Sequence, residues 1–121
     1  MADNGNADPA RNKLLALADE LVASLPTRME SVEAAYATLG DATWQQQEIA
    51  DFYATVHSLS GTTGSFGFMR ISQAARDVLN TLEPVSQSDC DASDELREKL
   101  GACIAALRQE VAEPKSEEGW I

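Results

Sequence analysis

Apolar side chains recur along this chain every three or four positions, the spacing that lines one face of an α-helix. Leu14, Leu17, Ala18, Leu21 and Leu25 form the first such run, opened by Asp8-Pro9, a good N-cap followed by a proline at the first helical position. Leu25-Pro26 predicts the end of that helix. Thr27-Arg-Met-Glu30 has the Thr-x-x-Glu form of a capping box and opens a second helix through Met29, Val32, Tyr36 and Leu39, closed by Gly40-Asp41. Thr43-Trp-Gln-Gln46 supplies another capping-box pattern for a third helix, whose stripe is Ile49, Phe52, Val56 and Leu59. A fourth carries Phe68, Ile71, Ala75, Val78, Leu79 and Leu82 and stops at Glu83-Pro84. Beyond a polar, acidic loop from Ser86 to Ser93, a fifth carries Leu96, Leu100, Cys103, Ile104, Leu107 and Val111. No segment sustains the two-residue alternation of a strand. The pattern predicts an all-α protein, an antiparallel up-and-down four-helix bundle with an additional N-terminal helix, because short links force neighbouring helices to reverse. One domain covers 1–121, with an ordered core at about 8–112 and flexible tails at 1–7 and 113–121. The second tail ends on the apolar pair Trp120-Ile121, read as a tail that is loose or folds back on the bundle, with a docking peptide as the alternative.

Composition narrows the partners. A chain of 121 residues is long enough to bury a core without disulfides or metals. Nine Lys and Arg against twenty Asp and Glu give a net charge of -11, a field that repels nucleic-acid phosphates and anionic lipid surfaces. With no apolar leader and no run near the roughly 20 apolar residues of a membrane span, a soluble, cytoplasmic protein is expected. The same charge, with no apolar face left over, favours a monomer. The two cysteines are too few for a disulfide framework or a four-ligand zinc site, so Cys103 reads as a core residue and Cys90 as a free thiol in a polar linker.

The chain has one histidine, His57, and glycine follows it on the same helical side at Gly61 and Gly64. Glycine costs a helix interior about 1 kcal/mol relative to alanine, so two of them beside one imidazole suggest space kept open for something large. At about 100° per residue, with Val56 at zero, the core stripe falls within roughly 60° and His57 at about 100°, lateral and exposed. Tyr53, Ala50, Gly61 and Gly64 share its side, with Ser60 nearer the core edge. A histidine held by packing would want bulk around it. A metal site lacks a second ligand one turn away, and a base paired with Ser58 or Ser60 lacks a pocket. The remaining role is His57 itself as nucleophile, a neutral ring nitrogen attacking phosphorus, which needs in-line approach and charge stabilisation.

The residues that carry this resemble the histidine-containing phosphotransfer (HPt) domains of bacterial two-component phosphorelays, whose pattern is roughly His-x-Leu-Lys-Gly, a second Gly six residues on, and an apolar position. Here it reads His57-Ser-Leu59-Ser60-Gly61 and Gly67-Phe68, followed by Ala74-Ala75-Arg76-Asp77-Val78-Leu79 and Leu82-Glu83. The Leu25-Pro26-Thr27-Arg28 step and the Gly40-Asp41 turn also look like the family, so the resemblance spans about residues 10–110, with 57–68 its specific part. It implies that His57 takes a phosphoryl group from a receiver-domain aspartyl phosphate and passes it to another receiver, with Gly61 admitting the receiver's loops. Response-regulator receivers, and a hybrid sensor kinase, are the implied partners, and magnesium is expected on the receiver. No Gly-rich phosphate loop followed by Lys accompanies the bundle, so a phosphotransfer intermediate without its own ATP site is expected rather than a kinase. One position departs: the family's lysine is Ser60, which leaves a hydroxyl or another cation to stabilise the phosphoryl charge. By elimination Arg28 and Arg70 are the candidates. Two alternatives stand beside the relay: a module that binds or sequesters a receiver or kinase without phosphorylation, and a donor module phosphorylated directly by a separate histidine kinase.

Overall fold

The computed structural model describes residues 9–115, so Asp8 and Trp120-Ile121, with most of both expected tails, lie outside the described residues. Four helices make the fold: α1 (Pro9–Leu39), α2 (Gln46–Ser65), α3 (Met69–Leu82) and α4 (Asp94–Ala112), with a short 3-10 turn, Glu83–Val85, after α3. Each packs on its neighbours in the chain, and α4 closes on α1. The stripes named above meet in one core, with Val32, Ile49, Phe52, Val56, Ile71, Ala75, Val78, Leu82, Leu100 and Leu107 all removed from solvent. Cys103 is only half-buried, with its sulfur 3.6 Å from Thr81 Oγ1 on α3. Among the described residues there is no strand, and no helix is long and apolar enough to cross a membrane.

The separate N-terminal helix expected before Pro26 does not exist. Pro26 sits inside α1, which runs unbroken for 31 residues and leaves four α-helices among the described residues. A proline there forfeits the bond to the Val22 carbonyl and costs about 3 kcal/mol. Pro26 and Val22 lie on the exposed side, where water can satisfy that carbonyl. Leu21, Leu25, Met29 and Val32 are all buried, on both sides of the proline. At about 1.5–3 kcal/mol each, their burial outweighs the local penalty only if the stripe continues in phase. Ser24 and Arg28 belong to this turn: Ser24 donates to the Leu21 carbonyl at 2.7 Å and Arg28 Nε donates to Ser24 Oγ at 2.9 Å. Burial begins at Ala18, so Leu14 and Leu17 stand exposed although they continue the stripe.

The start of α2 also differs from the capping-box reading. Thr43 is not the cap. Its hydroxyl bonds Asp91, and the free amide of Gln46 is taken by Asp89 Oδ1 at 2.8 Å. The 86–93 loop thus caps α2 from across the bundle, and it is pinned there by paired backbone bonds of 2.8 Å each way between Trp44 and Cys90. Cys90, read from sequence as a free thiol in a polar linker, is free and half-buried in this contact. Trp44 is 2% exposed and part of the core.

Candidate functional site

The α2–α3 hairpin gives three neighbouring glycines three different jobs. Gly67, at φ 79°, holds the left-handed conformation that ends α2. Its amide donates to the Gly64 carbonyl at 3.1 Å and the next amide, Phe68, to the Thr63 carbonyl at 2.9 Å, a Schellman cap closed by the buried Phe68 ring. Gly64 is a packing glycine. A Cβ there would stand 3.0 Å from Ser72 Oγ on α3, so the bare backbone makes room for that hydroxyl. Gly61 faces open space, with nothing within 4 Å of where its Cβ would be. The helical side that sequence reading left open at both Gly61 and Gly64 is therefore open at Gly61 and closed by α3 at Gly64.

His57 stands one turn before Gly61 and is exposed, with no hydrogen bond or ion pair among the described residues. Tyr53, one turn earlier and half-buried, stacks beside it with ring centroids 6.3 Å apart and planes at 15°. That contact fixes one flank of the imidazole. The other flank, over Gly61, is bare. Helix α2 cannot rotate to change this, because Ile49, Phe52, Val56 and Leu59 are locked in the core. The arrangement offers an imidazole nitrogen on a rigid rod to an approaching surface, with no enclosed cleft.

The remaining sequence candidates do not converge on His57. Ser60 is 5% exposed and turned into the α2–α3 seam, where its carbonyl accepts from Ser72 Oγ at 3.0 Å and its hydroxyl lies 3.4 Å from that same oxygen. It spans the helices instead of facing solvent. Arg28 is half-buried on the α1 flank of α2, around a surface hollow shared with Ser31, Thr55 and Ser58. Arg70 pairs with Glu110 of α4 at 3.3 Å, on the far side of α3. Arg76, exposed on α3, is not among the sequence candidates, because no basic side chain other than Arg28 and Arg70 is expected from sequence near the helix of His57. It falls four residues after Ser72, on the same side of its helix, a spacing that points to His57 only once Ser72 is seen to meet Ser60.

The seam makes a measurable prediction. Gly64→Ala should lower stability by about 1–3 kcal/mol in spite of alanine's better helix propensity, because its methyl displaces the Ser72 hydroxyl from Ser60. Combining it with Ser72→Ala should recover most of the loss in thermal melts, a non-additivity that an independent pair would not show.

No match is found among curated proteins or among solved structures. The family model for the Hpt domain matches residues 16–110, which takes in all of α2, α3 and the hairpin between them. Hpt domains are helical bundles that carry out histidine phosphotransfer in two-component signalling, with receiver domains and histidine kinases as partners. With one exposed imidazole on such a bundle, and the match covering well over half of its length, this chain belongs to the Hpt domain family.

Proposed function

We propose that this chain is a cytoplasmic, monomeric relay shuttle, an up-and-down antiparallel bundle that accepts a phosphoryl group on His57 from a receiver's aspartyl phosphate and delivers it to a second receiver. The observation that carries the reading is the pairing of His57, exposed and without a hydrogen-bond or ion-pair partner among the described residues, with the unobstructed backbone at Gly61. In the forward step the neutral ring nitrogen attacks phosphorus, the P–N bond forms, and the P–O bond to the aspartyl carboxylate breaks with its electron pair leaving on the carboxylate. The other ring nitrogen keeps its proton, so the phosphorylated ring is cationic and remains a good leaving group for return to an aspartate. Acyl phosphate and phosphoimidazole are both high-energy, which lets the transfer run either way. The bundle supplies position. Magnesium belongs, in this reading, to the receiver's acidic pocket.

The test is incubation of the full chain with a phosphorylated receiver domain. Wild type should acquire an acid-labile, alkali-stable phosphate, and His57→Gln should fall to background. Equal labelling of the variant, or none of the wild type, overturns the reading. A variant that never labels yet keeps receiver binding and its cellular output would make this a binding module. Labelling by a kinase domain and ATP with no receiver present would make it a donor module.

A further inference from the structure

Resting on that reading, we propose that Arg76 is the cation that binds the phosphoryl group on His57, the charge that position 60 does not supply. The register of the hairpin carries this. α3 returns along α2 from the cap at Gly67, and Ser60 and Ser72, six residues before and after Phe66, meet across the seam. Going one turn back along α2 from Ser60 reaches His57, and going one turn on along α3 from Ser72 reaches Arg76. Because the helices run in opposite senses, both steps move the same way along the bundle by about 5 Å. Ser60 and Ser72 are buried while His57 and Arg76 are exposed, so the two side chains rise from opposite banks of the same groove at the same level. The seam is narrow, since Gly64 admits Ser72 against the α2 backbone. Axes this close, roughly 8–10 Å apart, are within the span of an arginine side chain.

Availability points to the same residue. Arg28 bonds Ser24, Arg70 bonds Glu110, Arg108 bonds Glu33 and Arg97 bonds the carbonyls of the α1–α2 link. Arg76 has no such partner among the described residues, in a chain with twenty acidic side chains. The adjacent Asp77 is taken by Gln73 Nε2 at 3.1 Å. A guanidinium offers a planar fork of donors and a fixed charge, which suits a phosphoryl group better than the serine hydroxyl at position 60.

The experiment uses phosphoramidate as donor to the full chain, with no receiver present, so that docking plays no part. Arg76→Ala should label about 10- to 100-fold more slowly than wild type, as loss of a charge-assisted contact implies, and should lose its phosphate faster. Arg76→Lys should restore part of the rate, while Arg70→Ala stays near wild type. All should melt alike, since Arg76 and Arg70 are exposed. Wild type that fails to label defeats the phosphoacceptor reading itself. Wild type that labels, with Arg76→Ala at the same rate, defeats the role of Arg76 alone. A defect that appears only with a receiver as donor also defeats it, and makes Arg76 a docking contact.

Discussion

Replacing Gly61 by alanine should make the protein more stable and a poorer phosphate carrier, and replacing it by leucine should stop transfer with the fold intact. The two effects oppose each other for a physical reason. Gly61 lies inside α2, its φ is not positive, and an added Cβ meets nothing within 4 Å. Nothing inside the molecule requires glycine there. Alanine should therefore gain about 1 kcal/mol of helix propensity, roughly 3–6 °C in melting temperature. A side chain at that position stands one turn from His57, on the flank not covered by Tyr53. In-line attack on a protein-bound phosphate requires the partner's loops to come within bonding distance of the imidazole, and a displacement of about 1 Å can cost 100-fold in rate. Leucine should therefore slow transfer from a receiver by roughly 100-fold or more. Labelling by phosphoramidate, small enough to pass, should change far less. Circular dichroism, thermal melts and the two labelling assays check all of this. Unaltered transfer by Gly61→Leu would show that the open flank is not where a partner approaches.

Much of this was legible in the chain, and the exceptions have a common cause. Amphipathic periodicity placed the stripes of all four helices, since residues such as Val32, Phe52, Val56, Ile71 and Leu107 can satisfy their pattern in only one way. His57 was found as a lateral position by the same geometry. What failed was local punctuation. Pro26 reads as a stop and Thr43 as a cap, yet the helix continues through the first and begins after the second. In both places a tertiary contact outweighs the local preference: the continuous buried stripe of α1, and Asp89 arriving from a distant loop to cap α2. The glycines were legible as a group and not one by one. Gly67 announces a left-handed cap by preceding an apolar residue at a helix end, whereas telling Gly64 from Gly61 requires knowing that Ser72 packs against one of them. Ser60 fails similarly. Its place near the core edge is visible on a helical wheel, but its engagement with Ser72 is not.

Trp44→Ala should be the most destabilising single truncation outside the helices, by about 3–5 kcal/mol. Trp44 sits in the link between α1 and α2, where a loop residue would ordinarily be expendable. Here its ring is 2% exposed, its Nε1–H donates to the Gly40 carbonyl at 3.2 Å, and its backbone pairs with Cys90. Arg97 of α4 lies over the ring, 5.1 Å from its centroid, and donates to the carbonyls of Gly40 at 2.7 Å and Ala42 at 2.9 Å. The indole thus joins the α1–α2 link to α4, while the Trp44 backbone holds the 86–93 loop. Removal of the indole opens a cavity between the link and α4, against a total stability typically of about 5–15 kcal/mol. A melting temperature lower by roughly 10–25 °C is expected. Trp44→Phe, which keeps most of the bulk and loses the N–H, should cost far less. The link joins α2 at its N-terminus, about 16 Å along the helix from His57. Trp44→Ala protein kept well below its melting temperature should therefore still carry phosphate at close to the wild-type rate. A loss of stability under about 1 kcal/mol would show that the link is not part of the core. Normal melting with impaired transfer would mean that the far end of α2 reaches His57 through the helix.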